Sequence, residues 1–273
     1  RIATSKYGEK LGSVKVLPTP QNFEEGITVI SETTKGIAKK EEIEAAIIGV
    51  PGVFNSSKSG VSLSPNLPKW EEKPLKLSVQ RVLERTQVYL ENDANLAGLG
   101  EATRGAGKDD SIVAYLTIST GVGGVRIVGN TIDTNAHGFE PGAQVISVGK
   151  ETLSLEDRIS GAAIKKKHNK EPYEVTNPKV WDEAARWLAY GIHNTMIYWS
   201  PDIVVLGGPM ILGKVGISTD KVQEYLKKIP YKLPDLPEIK KVFVGKDCYQ
   251  KSTLMTQISL IRNRERDHLL SQR

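Results

Sequence analysis

Apolar and polar positions along this chain follow two alternating rhythms. Short unbroken apolar runs (IEAAIIGV, TQVYL, SIVAYLTIST and DIVVLGG) are bounded by Gly, Pro or polar residues, as strands buried on both faces are. Between them, apolar residues recur at helical spacing. Phe23, Ile27, Ile30 and Ile37 share one helix face, and PLKLSVQRVLER, STDKVQEYLKKI and the long PKVWDEAARWLAYGIHNTMIYWS also read as helices. DANLAGLGEATRGAG is a small-residue helix ending in glycines, followed after the next strand by GVGGVRIVGNTI and then irregular sequence to about Val148. The opening RIATSKYGEKLGSVKVL predicts two strands turning at Tyr7-Gly8, and IKKVFVG predicts a late strand. Residues 253–270 read as a helix that becomes basic and polar towards its end.

Strands alternating with helices in both halves predict an α/β protein. We place an N-terminal α/β domain over residues 1–107, completed by the helix 253–270, and a second α/β domain over 108–250. The segments LEND and LTISTGVGG close two of the apolar runs, and ligands of open α/β sheets bind outside the carboxyl ends of strands.

Several stretches there could carry chemistry, each with a plain structural alternative. Ser119, Thr120, Gly121 and Gly123 in STGVGG could cradle phosphate oxygens with backbone N–H groups and hydroxyls; a hairpin turn competes. Asp93 could cap the helix that follows it or, held among Asn92 and Asn95, accept a proton from a substrate hydroxyl. Glu140 in HGFEPGAQ suits hydrogen bonds to a polyol, whereas Glu156 follows Ser154 as in an ordinary helix start. Gly207 and Gly208 end a strand, where a turn competes with close approach of a nucleoside.

Composition narrows the classes. The 273 residues are 39% hydrophobic and 25% charged, enough apolar surface for a real core. The net charge of +5 comes from basic residues scattered among acids, which predicts a solvated surface and no nucleic-acid partner, since aromatic and basic residues do not interleave. One cysteine, Cys248, excludes an internal disulfide, and His137, His168, His193 and His268 show no metal-ligand spacing. No apolar run is long enough to span a bilayer and no signal-peptide pattern opens the chain, so no membrane association and a cytoplasmic location are expected.

Seven blocks in order, GVPGVFN, SPNLPKW, LENDANLAGLGE, TISTGVGG, FEPGAQ, SLEDRISG and VVLGG, resemble the ROK family of bacterial sugar kinases and repressors, glucokinases among them. The resemblance runs from Arg1 to about Gly245. It implies an actin-like, ribonuclease-H-like ATPase fold, two α/β domains around a cleft, and ATP-dependent phosphorylation of a hexose, glucose at its 6-hydroxyl foremost. It implies Asp93 as general base, and Gly52, Asn66, Asn92, Asp93, Glu140 and Glu156 as sugar-binding residues. Ser119, Thr120, Gly121, Gly123, Gly207 and Gly208 match its nucleotide loops. ATP with Mg²⁺ is the implied donor, and a homo-oligomer is expected. A catalytically impaired sugar-binding or regulatory relative is the alternative.

Three departures qualify the match. The family's opening D-x-G-G-T-K block is absent, and RIATS reads as a strand already in progress, so we expect the natural protein to begin earlier. Ala143 stands where many members have His, and no cysteine-rich loop follows, so structural zinc is not expected. The finish KDCYQKSTLMTQISLIRNRERDHLLSQR is unlike the family's Gly- and Ala-rich end.

Overall fold

The computed structural model describes residues 1–6, 10–39, 41–84, 86–136, 138–149, 151–230 and 237–242. The Tyr7-Gly8 turn, His137, His268, Cys248 and the helix expected over 253–270 lie outside them. The described residues divide into two compact units, 1–100 and 101–242.

The first unit opens with a short antiparallel pair, β1 (Ser5–Lys6) and β2 (Lys10–Leu11). Helix α1 (Phe23–Ala38) starts where Asn22 accepts a hydrogen bond from the Glu25 N–H. Glu24 and Glu25 stand in its first turn, on the positive end of the helix dipole, and Lys39 ends it in the left-handed conformation. One turn apart, Phe23 and Ile27 bury one face, and Phe23 meets Trp70 edge to face at 5.4 Å. Trp70 lies so close over Gly26 that a methyl there would come within 2.2 Å of its ring.

Strands β3 (Ala45–Val50) and β6 (Gln87–Asn92) pair in parallel, with Val50 opposite Asn92. After β3, two short strands pair antiparallel as a small hairpin, β4 (Val53–Phe54) and β5 (Val61–Leu63). Helix α2 (Leu75–Val82) adds Leu75 and Val79 to a core with Val61, Leu67, Val88 and Leu90. Helix α3 (Asp93–Arg104) follows β6 with no loop between them. Complete burial of IEAAIIGV was expected and is not found: β3 is only half-buried up to Gly49. A cavity of about 1300 Å³ within this unit borders Ile47 and Ile48, and among the described residues β3 pairs with β6 alone.

The second unit is built on a five-stranded sheet in the order β13-β12-β7-β8-β9. Its members are β7 (Ile112–Ile118), β8 (Val122–Val128), β9 (Thr131–Ile132), β12 (Ile203–Gly207) and β13 (Glu238–Lys241). The first three in that order are parallel and the rest antiparallel. GVGGVRIV therefore runs straight into a strand. The irregular stretch before Val148 holds one further strand, β10 (Val145–Ser147), which pairs with β11 (Leu153–Ser154). Helices α4 (Leu155–Ile159), α5 (Gly161–His168), α6 (Pro178–Trp199), α7 (Pro209–Leu212) and α8 (Thr219–Leu226) complete the unit.

Helix α6 has Asn177 as N-cap and Pro178 in its first turn, where the missing N–H is harmless. Its buried side, including Trp181, Leu188, Ile192 and Met196, packs with Ala114, Leu116, Val204 and Leu206 of the sheet. Each fully buried aliphatic side chain there contributes about 1.5–3 kcal/mol through removal from water. Strand β7 is buried on both faces, as its unbroken apolar run predicts.

Candidate active site

In the first unit the polar end of β6 sets the geometry. Asn92 Oδ1 accepts hydrogen bonds from the N–H groups of Ala94 (2.8 Å) and Asn95 (3.3 Å), so Asn92 caps α3. Its Nδ2 donates to the Gly52 carbonyl at 3.2 Å. Both ends of the Asn92 amide are thus engaged, one on the helix and one on the loop after β3.

Asp93 stands one residue further on. Its Oδ1 accepts from the adjacent Ala94 N–H, at 2.9 Å. The residue has exposed surface but stands in a recess, bordering the same cavity as Asn66. Loss of water there raises its pKa above the ordinary aspartate value, against the lowering effect of the Ala94 and Asp93 backbone N–H groups. The structure thus separates the two readings of this segment: Asn92 caps and Asp93 remains available to a ligand.

Gly52 has φ +125, and a Cβ there would sit 2.3 Å from the Leu63 carbonyl oxygen. Glycine is required to bring the loop this close to β5. The hydroxyl of buried Ser64 donates to the Pro51 carbonyl at 2.7 Å, fixing the same loop from the other side. Asn66 is exposed, and its carbonyl accepts from Gln21 Nε2.

In the second unit the loop between β7 and β8 gathers the two predicted acids. Glu156 Oε2 accepts from the Val122 N–H at 2.7 Å, reaching back over 34 residues. The capping of α4 is done by Ser154 with Asp157, which leaves Glu156 free of that duty. A Cβ on Gly121 would lie 2.7 Å from Glu156 Oε2. Glu140 comes close because Pro141 and Gly142 pack on β8: a Cβ on Gly142 would meet the Val122 carbonyl at 2.2 Å, and one on Gly124 would meet Pro141 at 2.8 Å. Burial and the charge of Glu156 push the Glu140 pKa up. Paired acceptors of this kind are suited to the several O–H donors of a polyol.

Ser119 and Thr120 face a different set of partners. The Ser119 carbonyl accepts from Gly161 N–H and the Thr120 carbonyl from Ala162 N–H, pinning the loop to the start of α5. Thr120 is exposed at its tip. Gly207 lies opposite Thr117 in the parallel pairing of β12 with β7, so Gly207–Gly208 and the Ser119–Gly121 turn stand at neighbouring strand ends, while Gly123 is paired with Thr117 within β8. Gly208 has φ +90, and a Cβ on it would strike the Ile118 carbonyl at 2.2 Å. Close packing of the two strand ends therefore accounts for this glycine within the protein itself.

A further buried carboxylate, Glu91, stands near the end of β6. Glu91 is 9% exposed, and its carboxylate accepts from Asn95 Nδ2 (2.9 Å), the Asn92 N–H (3.0 Å) and Lys58 Nζ (3.0 Å). A carboxylate ending an apolar run, with Asn four residues on, is the one sequence signal that could have found it.

The backbone resembles that of a Streptomyces griseus ROK family glucokinase solved in complex with glucose and AMPPNP, with TM-score 0.72 and 22% identity.

 For that glucokinase the match covers 93% of this chain and 93% of its own. For a Thermus thermophilus ROK hexokinase it covers 94% and 93%, at TM-score 0.75 and 22% identity. These likenesses define the class: the fold is the actin-like, ribonuclease-H-like α/β fold. The ROK family model matches residues 2–242, and the chain belongs to the ROK family. A Streptomyces coelicolor glucokinase is 38% identical over 125 residues, which is 46% of this chain and 38% of that protein. A Caldicellulosiruptor putative xylose repressor is 27% identical, over 77% of this chain and 58% of that protein. The chain thus spans well under two thirds of these curated relatives' length. No helix among the described residues is long and apolar enough to cross a membrane.

Proposed function

We propose that this protein transfers the γ-phosphoryl group of ATP to a hexose, with the 6-hydroxyl of glucose as acceptor and Asp93 as general base. The observation that carries this reading is the division of labour at the end of β6. Asn92 takes the capping bonds, so Asp93 keeps a carboxylate in a recess where water is partly excluded. A primary hydroxyl is a poor nucleophile near neutral pH, and a carboxylate within hydrogen-bond reach removes its proton as the oxygen attacks. A base with a raised pKa holds that proton better than an ordinary aspartate.

Gly52 and Asn66 on the loops after β3 and β5, with Asn92, hold the sugar in the first unit. In the second unit, Glu140 and Glu156 offer acceptors suited to polyol hydroxyls. Ser119, Thr120, Gly121 and Gly123, with Gly207 and Gly208, receive the nucleotide. The exposed Thr120 and the strand-end loops of β7 and β12 fit a phosphate-bearing ligand by the chemistry of their donors. Bound Mg²⁺ would neutralise charge on the phosphoryl oxygens. Among the described residues no group of three or more His, Cys, Asp or Glu is placed to hold a metal.

The likeness to xylose repressors supports a second reading, a sugar-binding regulator without turnover. Calorimetry with glucose and with ATP separately distinguishes them. The kinase reading expects both to bind; heat from sugar with none from nucleotide would establish the regulator.

A further inference from the structure

We propose that Lys58 and Glu91 form a latch that sets the position of the sugar-binding loop beside Asp93, making both positioning residues for sugar binding; this rests on the kinase reading above. Lys58 lies in the β4–β5 turn and Glu91 near the end of β6, 33 residues later, with Lys58 Nζ 3.0 Å from Glu91 Oε2. The two partners differ sharply in environment. The Glu91 side chain is 11% exposed and that of Lys58 55% exposed.

Exposed ion pairs contribute little, but a carboxylate removed from water must be met by donors. Glu91 has three, and each comes from a part of the proposed site. The Asn92 N–H belongs to the residue that caps α3 and holds the Gly52 carbonyl. Asn95 Nδ2 comes from the first turn of α3, next to Asp93. Lys58 is the only one of the three that reaches across from the β4–β5 hairpin.

That hairpin is built as a rigid arm. Asn55 Oδ1 accepts from Ser59 N–H (2.9 Å) and from Ser57 Oγ (3.1 Å), and the Lys58 N–H donates to the Asn55 carbonyl (2.9 Å). Lys58 itself has φ +48, a left-handed backbone that a lysine adopts at some cost. A turn held this firmly transmits the position of Lys58 to its own base, where Gly52 meets Asn92. The latch therefore couples the loop carrying Gly52 to the strand end carrying Asp93.

The test compares the full chain with Lys58→Met and Lys58→Arg by hydrogen exchange and by steady-state kinetics. Lys58 is half-exposed, so neither change removes core packing. In Lys58→Met, amides of Val53–Gly60 should exchange several-fold faster, and the sugar KM should rise roughly tenfold with kcat and the ATP KM little changed. Lys58→Arg should restore most of both effects. A double variant with Glu91→Gln should be no worse than Lys58→Met in sugar KM. Unchanged exchange in Lys58→Met overturns the latch whatever the chain's activity. Faster exchange with an unchanged sugar KM overturns the positioning role. Faster exchange in a chain whose wild type neither binds nor phosphorylates glucose removes the kinase reading and the positioning role together, leaving a structural latch.

Discussion

Asn92 and Asp93 are neighbours with short polar side chains, and only one of them can satisfy the orphan N–H groups at the start of α3 well. Asn92, still in the strand, has its amide oxygen turned towards Ala94 and Asn95. Asp93, already helical, reaches no further than Ala94. Replacing Asn92 with Ala should therefore cost about 1 kcal/mol of stability, measured as a lowered thermal midpoint. It should also loosen Gly52 and raise the sugar KM. Asp93 carries the opposite stability sign. Its folded pKa is raised, so the folded state binds the proton more tightly than the unfolded chain, and stability falls as pH rises from the ordinary aspartate range through the raised value. Asp93→Asn removes this penalty, and the variant should be at least as stable as wild type at neutral pH. The advantage should vanish below the ordinary carboxylate range. Glu140→Gln should behave alike in denaturation across pH, because Glu140 is raised by burial and by Glu156. The sequence showed that acids occupy these places. It could not show which neighbour takes the cap, since Asn and Asp are nearly equal caps and only the backbone angle at the strand–helix junction decides.

At the scale of elements, the β7–β8 loop is shaped by what it must accommodate. A Cβ on Gly121 would lie 2.7 Å from Glu156 Oε2, so the carboxylate would have to move to admit it. Gly121→Ala should displace Glu156 from the Val122 N–H, raising the sugar KM while circular dichroism shows an intact fold. An unchanged KM would separate the Glu156 contact from sugar binding. The strands and helices of this unit were legible because β7 and β12 are buried on both faces and α6 is strongly one-sided. Strand β8 was harder to read, since the glycines at its start mask its alternation. In the first unit the polar, turn-rich residues between Phe54 and Val61 hide the β4–β5 hairpin, and β3 is less buried than its apolar run predicts. Its apolar run predicts two covered faces, while the cavity beside Ile47 and Ile48 leaves it half-covered. Glu91 at the end of an apolar run is a signal, but nothing in a loop lysine announces a partner 33 residues away.

For the whole molecule, the account turns on whether ligand binding and chemistry separate at one carboxylate. A ligand that binds only the folded state stabilises it by RT ln(1 + [L]/Kd), about 2.7 kcal/mol at a hundredfold excess over Kd. Glucose should raise the thermal midpoint of wild type and of Asp93→Asn by similar amounts, since the residues assigned to hold the sugar are intact in both. The most direct measurement of the central claim is glucose-dependent ADP formation by wild type and Asp93→Asn, at glucose concentrations shown by calorimetry to saturate each. The account predicts turnover in the wild type and a fall in kcat of about 10²–10⁴-fold in Asp93→Asn, with glucose still bound. Wild-type turnover in the variant would contradict it.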